Sequence, residues 1–440
     1  MFVLQKFINM TRNIAIIGAG LTGLTCAKLL QKFNLNYTIF ESHNRVGGRV
    51  QSETIDGFNI DYGFQVLLDS YQAVQRNLDI SKLNLCPFDS GALIGSAANC
   101  IAHPFRHPNF IFSTLFSKTF STIDKAIILR LISQAMYSYN IGNQNDVKDD
   151  FSTLDYLIQN GFSDKCINEF FKPFFGGVFL DKDLQTSSRM FEFTFNHFAK
   201  GRATLPLTGM QQIPLQLLEA IDRNNLFLNT SINSISRKNS HYELIDNTGN
   251  TIEADKIIIA SDSLSARTLL RNLRLPTSVQ SLIETALPYR HTFCLHFAAP
   301  NAPYKHKMIF LSPKTDSAIL HLCPITNISN AYSADARALI SVTSLLPSGT
   351  PLEEVKKLVL KELFALFGKQ VSSWICIDNR LVKYALPNTA IGSLTPWHRT
   401  CMVNDQIFIG GDYTETPSIN GAMEAAENIV GSILNSTTPV

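Results

Sequence analysis

The first clear pattern in the chain is an unbroken apolar run, Ile14-Ala15-Ile16-Ile17, which stops at a glycine. A short run of this kind fits a strand buried on both faces of a parallel sheet. The spacing then changes to threes and fours through Leu24, Ala27, Leu29 and Leu30, which predicts a helix with one apolar face. Residues 37–40, Tyr-Thr-Ile-Phe, predict the next strand. Strand patterns return at residues 226–232, around Ile235, at 252–261 and at 407–409, and the chain ends on a helix pattern thin in side chains, Gly421-Ala-Met-Glu-Ala-Ala426. Between these stretches the pattern differs. Residues 88–100 read as a hairpin, and the alternating runs at 291–297 and 318–322 predict an antiparallel sheet within residues 286–346. Residues 105–137 carry apolar positions at helical spacing, interrupted by Arg106, Lys118, Lys125 and Arg130. They read either as the helical layer of a second domain or as a surface that dips into a membrane.

Composition narrows the picture. A chain of 440 residues exceeds one core of usual size, so two domains, interleaved or sequential, are expected. The net charge of +2 and the lack of a long basic run give no electrostatic case for a nucleic acid partner. Thirty phenylalanines serve either a large core or a pocket for an apolar substrate. The eight cysteines are irregularly spaced and form no C-x-x-C pair, so neither a disulfide scaffold nor a zinc site is expected, and reduced thiols in a cytoplasmic protein are. The stretch MFVLQKFINM lacks a signal-peptide cleavage pattern, and Met10 reads equally well as a start. No apolar run is long enough to span a membrane.

The chemistry-bearing residues cluster after the first strand. Gly18, Gly20 and Gly23 form a G-x-G-x-x-G turn into the helix, with Leu21 and Thr22 opening that helix. Gly18 permits the tight turn, Gly20 lets backbone approach a pyrophosphate, and Gly23 lets helix and strand pack closely. The helix N-terminus supplies free N–H donors and a partial positive charge. Glu41 ends the second strand, where its carboxylate can accept from a ribose diol. An acid there repels a 2′-phosphate, which argues against NADP. Arg45, Gly47, Gly48 and Arg49 follow at once, adding exposed backbone donors and guanidinium groups for a second phosphate anchor.

On these residues, ESHNRVGGRV resembles the E-x-x-x-R-x-G-G-R segment of the flavin amine oxidase superfamily, which holds monoamine oxidases, protoporphyrinogen oxidase and the phytoene and carotene desaturases. GRATLPLTGMQQIP resembles its P-x-G-G-M segment, with Thr208 in place of a glycine, and Tyr384-Ala-Leu-Pro387 resembles its A-x-P segment. The resemblance implies an α/β fold, a Rossmann-like FAD-binding domain of the glutathione-reductase type interleaved with an α+β substrate domain. The FAD-binding parts are expected at residues 11–87, 201–275 and 386–440. The substrate parts are expected at 88–200, helical, and 276–385, an antiparallel sheet. It further implies Ser42 beside Glu41, backbone near Ile232 at the adenine, Asp61 and Gly63 beside the flavin, and Gly411, Asp412, Ser418 and Ile419 along its ribityl chain and pyrimidine.

Gly411-Asp-Tyr-Thr414 and Met423-Glu424 are closest in style to phytoene and carotene desaturases and squalene-pathway oxidoreductases. Pro417, Ser418 and Ile419 stand where monoamine oxidases carry an aromatic cage, and Cys401 is too far upstream for their covalent attachment. Noncovalent FAD and a hydrophobic, isoprenoid-type substrate are therefore expected, with an amine oxidase as the alternative and a redox-inactive flavin-fold binding protein as a third. No second glycine fingerprint occurs, so electrons are expected to leave to oxygen, a quinone or another acceptor. His103 and His107 are separated by helix-breaking prolines and read as structural, so no metal is expected. Lys305 and Lys307 do not align with the lysine that holds a water near flavin N5 in amine oxidases, and no G-x-S-x-G nucleophile occurs. The sequence marks no catalytic acid or base and sets no oligomeric state.

Overall fold

The parallel sheet of the protein is assembled from three distant parts of the chain. The structure, a computed structural model, describes residues 14–96, 99–102, 117–137, 149–285, 289–314, 316–394 and 401–437. Met10, His103, His107 and residues 105–116 of the amphipathic stretch lie outside these. Five strands form the sheet: β1 (Ile14–Ile17), β2 (Tyr37–Phe40), β3 (Leu226–Phe227), β4 (Lys256–Ile259) and β5 (Ile407–Ile409), in the order β3-β2-β1-β4-β5. Ile16 pairs with Ile39 on one side and Ile258 on the other, and Ile258 pairs with Phe408, so this central rung is apolar throughout; the rung before it carries the buried Thr38 opposite Ala15. Both faces of the sheet are covered, by helices and by a small antiparallel sheet, which is why β1, β2 and β5 are buried at every position.

Helix α1 (Leu21–Lys32) lies beside the last helix, α2 (Ile419–Thr437). Their backbones come close: Thr22 Oγ1 donates to Ala422 O at 2.7 Å, and Cys26 Sγ lies 4.0 Å from Ala426 O. Only small residues leave room for this, and Ala425 and Ala426 are fully buried at the contact. An antiparallel sheet of Ile232–Lys238, His241–Asp246 and Thr251–Ala254 packs on the outer face of the parallel sheet.

The second large sheet has seven strands, in the order Ile375–Leu386, Arg290–Ala299, Ala338–Ser344, His321–Pro324, Ile309–Leu311, Gly91–Ile94 and Cys100–Ala102. The expected hairpin at 88–100 is its far edge. The strands within residues 286–346 pair antiparallel with one another, and the sheet becomes mixed only where Ile309–Leu311 runs parallel to Gly91–Ile94, outside that range. One sequence expectation needs correction. The alternating run at 318–322 is mostly not strand; the strand begins at His321.

The run at 291–297 is a strand, yet from Thr292 onward it is buried on both faces. One face, Phe293, Leu295 and Phe297, packs on Val355, Val359 and Leu363 of the helix Leu352–Phe367. The other face is polar and lies against the chain around residues 58–65: a side-chain carbon added at Gly63 would sit 3.7 Å from Cys294 Sγ. All eight cysteines are unpaired. No helix among the described residues is long and apolar enough to cross a membrane.

Candidate cofactor site

The turn between β1 and α1 separates its three glycines by environment. Gly18 holds φ +105, and a Cβ there would meet Ala260 O at 2.8 Å. A Cβ on Gly23 would lie 1.9 Å from Gly18 O, a clash with backbone that cannot move aside. Around Gly20 there is no atom within 4 Å of that position. Two glycines thus serve packing, and the middle one faces open space. Gly20 is also the N-cap of α1, and no side chain caps that helix. The amides of its first turn, Leu21, Thr22 and Gly23, therefore point toward an external acceptor.

The RVGGR segment docks on this turn. Gly47 N donates to Ala19 O at 2.9 Å, and Gly20 and Gly47 form a parallel bridge. A Cβ on Gly48 would come 3.3 Å from Gly20 Cα, so this glycine forms the opposite lip of the opening. Arg45 is half-buried beside it and makes no hydrogen bond or ion pair with any described residue. Glu41, 7% exposed, accepts from Ala19 N at 2.8 Å through Oε2 and from His43 N at 2.9 Å and Ser42 Oγ at 3.2 Å through Oε1. Oε2 keeps acceptor capacity to spare. Segment 227–230 runs alongside: Glu41 N donates to Phe227 O and Thr230 N to Glu41 O. Ile232 follows, with its side chain buried in the core beside Phe40.

The two ends of the chain meet at one ion pair. Arg49 Nη2 lies 2.6 Å from Asp412 Oδ1, across 363 residues of sequence. Burial works against the Arg49 charge, and Asp412 outweighs it, holding the guanidinium firmly protonated. Arg49 also sits 5.9 Å from the ring centroid of Tyr289. Burial and nearby Asp412 push the Tyr289 phenol up to about 12. Gly411 N lies 3.3 Å from Thr414 Oγ1 in the tight turn after β5. Ser418 Oγ accepts from Gly421 N at 3.0 Å, capping α2, with Ile419 next to it. A Cβ on Gly421 would collide with Thr416 O at 1.9 Å, so the folded-back tail requires that glycine.

Sequence reasoning placed Asp61 and Gly63 beside the flavin, and here Asp61 ties the layers together. It accepts from Ser52 Oγ at 2.6 Å, Met210 N at 2.8 Å and Tyr332 OH at 2.8 Å. Burial raises its carboxyl despite these bonds. Gly177, in the aromatic stretch around residues 170–180, gives close approach to a ring: a Cβ there would lie 2.6 Å from His321 Nδ1. Lys305 and Lys307 are exposed. Among the described residues no cluster of His, Cys, Asp and Glu could hold a metal. The sequence reading missed Gln65, Tyr289 and Asp378, and set His296 aside as a scattered strand or loop residue. Only the position of Gln65, just past Gly63, could have drawn attention to it; the others sit in strands or loops with no motif.

Comparison with known proteins bears on the family and the fold. A model of the flavin-containing amine oxidoreductase family matches residues 21–434. The coproporphyrinogen III oxidase of Bacillus subtilis is 21% identical over 326 residues, covering 63% of this chain and 65% of that one. The 4,4'-diapophytoene desaturase of Staphylococcus haemolyticus is 43% identical over 63 residues, covering 14% of this chain and 13% of that one. The chain thus spans less than two thirds of the length of these curated relatives. An oxidoreductase from Methanosarcina mazei superposes with a TM-score of 0.74 at 17% identity, over 95% of this chain and 99% of that one, which establishes the fold. The family match extends from the first turn of α1 to the last helix, and on that basis the chain belongs to the flavin-containing amine oxidoreductase family.

Proposed function

We propose that the protein binds FAD noncovalently at the Gly20 opening and oxidises a hydrophobic, isoprenoid-type substrate. The observation that carries the cofactor placement is the contrast within the glycine turn: crowding at Gly18 and Gly23, open space at Gly20, and an uncapped helix behind it. A diphosphate fits that donor set. Leu21, Thr22 and Gly23 N–H groups and the unpartnered Arg45 supply positive charge, and Glu41 Oε2 accepts from a ribose hydroxyl. The Asp412 carboxylate, anchored by Arg49, would accept from the ribityl hydroxyls of the bound cofactor. The N-terminus of α2, capped by Ser418, would offer its partial positive charge to the flavin pyrimidine. When bound, FAD supplies the hydride acceptor; the protein orients the substrate and excludes water.

Cys401 packs against Ser432 at 3.7 Å, thirteen residues beyond Ile419 in α2, or roughly 20 Å along the helix. That distance supports noncovalent FAD. The five-part division of the chain into FAD-binding and substrate segments follows from the same reading. Substrate class rests on the C-terminal motif and on the relatives, one named for a porphyrinogen and one for an isoprenoid. A cytoplasmic protein touching a membrane surface is part of this proposal. Ile123, Leu129, Met136 and Tyr137 are exposed on the helix Thr122–Tyr137, with Lys125 and Arg130 on the same helix.

The test is to record the visible spectrum of the purified protein, release the cofactor, and then titrate the holoprotein anaerobically with polyprenes, hydroxysqualene, coproporphyrinogen III and amines. Bleaching by a polyprene or hydroxysqualene is expected. Bleaching by amines alone would make the protein an amine oxidase, and a colourless protein that takes up no FAD would leave only a binding role. Flotation with liposomes tests the membrane contact; a protein that stays in the dense fraction would refute it.

A further inference from the structure

Behind the chain at residues 59–65 lies a cavity of about 10 Å³, lined among others by Asp61, Gln65, His296, Tyr332 and Ser341. That is about the space one water needs, given at least two polar partners. Gln65 provides an obvious reason for one. Its Nε2 donates to Arg49 O at 2.9 Å, but its Oε1 is buried and has no partner. A buried carbonyl oxygen left without a donor forfeits its hydration with nothing in return, so such atoms in folded proteins usually meet an ordered water.

Across the cavity stands a row of polar residues in register on three neighbouring strands. His296 pairs with Ser341 on one side and Asp378 on the other, and all three project from the same face of the sheet. His296 Nδ1 lies 2.9 Å from Asp378 Oδ2, and its Nε2 lies 3.3 Å from Ser341 Oγ. Burial alone would raise the Asp378 carboxyl, but bonds from His296 and Arg380 hold it below the usual carboxylate range. The ionised Asp378 therefore accepts from Nδ1–H, which in the neutral ring leaves Nε2 as an acceptor toward Ser341 and the cavity. Arg380 grips Asp378 at 2.7 Å through Nη2 and reaches on to Glu53 at 2.5 Å, in the strand Ser52–Ile55. The imidazole is thus fixed from behind and cannot turn away.

We propose that the cavity holds one ordered water that donates to Gln65 Oε1 and is shared with His296 and Ser341, which makes His296 a positioning residue for the cofactor site. It touches neither substrate nor FAD. It acts through the water on Gln65, through Gln65 on the Arg49 carbonyl, and so on the Arg49–Asp412 pair. The polar face of the seven-stranded sheet would then set the geometry of an ion pair that belongs to the parallel-sheet half. This inference rests on FAD lying beside Arg49 and Asp412.

Two experiments test it. A crystal structure of the holoprotein should show a water within hydrogen-bond distance of Gln65 Oε1; an empty cavity overturns the proposal. In solution, FAD affinity and the shape of the visible flavin band are compared for wild type, His296→Phe, His296→Gln, Gln65→Leu and the His296→Phe/Gln65→Leu double variant. His296→Phe should weaken FAD binding roughly tenfold and alter the band, an effect the size of one buried hydrogen bond. His296→Gln, which still donates to Asp378 and accepts from the cavity, should restore both to within about twofold. The double variant should bind no more weakly than the weaker of the two single ones, whereas independent, multiplying losses would break the proposed chain. If His296→Phe does not fold, the crystallographic water and the Gln65→Leu and His296→Gln pair still decide it. If wild type takes up no FAD, the cofactor placement fails instead, and the coupling of residues 65 and 296 is read from the thermal stability of the apoprotein.

Discussion

The two large sheets of this protein solve burial differently. In the parallel sheet the central rungs are apolar except for the buried Thr38, and most polar work is left to its ends, where a glycine turn opens on space and Glu41 closes the second strand. In the seven-stranded sheet one face is apolar, and the other buries His321, Thr343, Ser341 and His296, with Asp378 and Arg380 partly buried beside them. The first sheet concentrates its chemistry at a rim that tolerates little change in backbone position. The second spreads polar groups over a face and holds them with ion pairs to the hairpin of Ser52–Ile55 and Phe58–Asp61. Rim substitutions should therefore act all-or-none, and face substitutions should be graded.

The largest expected effect is at the rim. Gly23→Val would place side-chain carbons on Gly18 O and should cost on the order of 4 kcal/mol or prevent folding, measured by chemical denaturation. Wild-type stability in this variant would show that α1 can move and that the rim is softer than the structure implies.

Acid probes the two histidines that burial holds neutral. Burial lowers His321 and His197 each to about 4. Unfolded, each would titrate near its ordinary value, about 6.5. Between those pH values the unfolded chain binds more protons, so falling pH favours unfolding. Stability should be full above roughly pH 6.5 and drop toward pH 4, by up to about 3 kcal/mol for each histidine. Asp61, whose carboxyl is raised, acts in the opposite direction at the acid end. His321→Leu should flatten the slope by one histidine's share. An unchanged slope would mean that His321 gains a proton without unfolding.

Arg49→Met leaves the Asp412 carboxylate, 9% exposed, without its partner. Because the Arg49 side chain is about a third exposed, the loss should be about 2 kcal/mol rather than the full cost of breaking a buried pair. Denaturation of the apoprotein measures it apart from any loss of FAD. The smallest effect is expected from Arg337→Ala. This residue also joins a sheet strand region to the hairpin, at 2.9 Å from Asp56, but Asp56 is 54% exposed. Only a marginal loss, well below that of Arg49→Met, is expected. A loss as large as that of Arg49→Met would contradict the view that burial, not pair count, sets the strength of these ties.

The same contrast explains what could be read from the sequence. The parallel sheet was legible because unbroken apolar runs, a glycine triplet and an acid each have a local cause and a fixed spacing. Gly421 and the small residues after it were legible for the same reason, since only close approach explains them. The polar face of the second sheet was not. Thr292, Cys294 and His296 alternate with phenylalanine and leucine in the way of a strand half in water, and nothing local says that residues 58–65 will cover the polar side. The parallel pairing of Ile309–Leu311 with Gly91–Ile94 joins strands more than 200 residues apart, and short apolar runs do not specify a partner. The meeting of Arg49 with Asp412 was half legible: both stood in recognisable motifs, but their pairing needed the fold.

The central claim is that the open space at Gly20 seats the FAD diphosphate. It is tested most directly by Gly20→Val, with flavin content and apoprotein stability measured on the same preparation. A Cβ there meets no atom within 4 Å, so apoprotein stability should fall by no more than the roughly 2 kcal/mol that a poor N-cap residue costs. Wild type should be yellow and release FAD, and the variant should fold and remain colourless even with excess FAD. A folded variant carrying normal FAD would place the cofactor elsewhere and contradict the account.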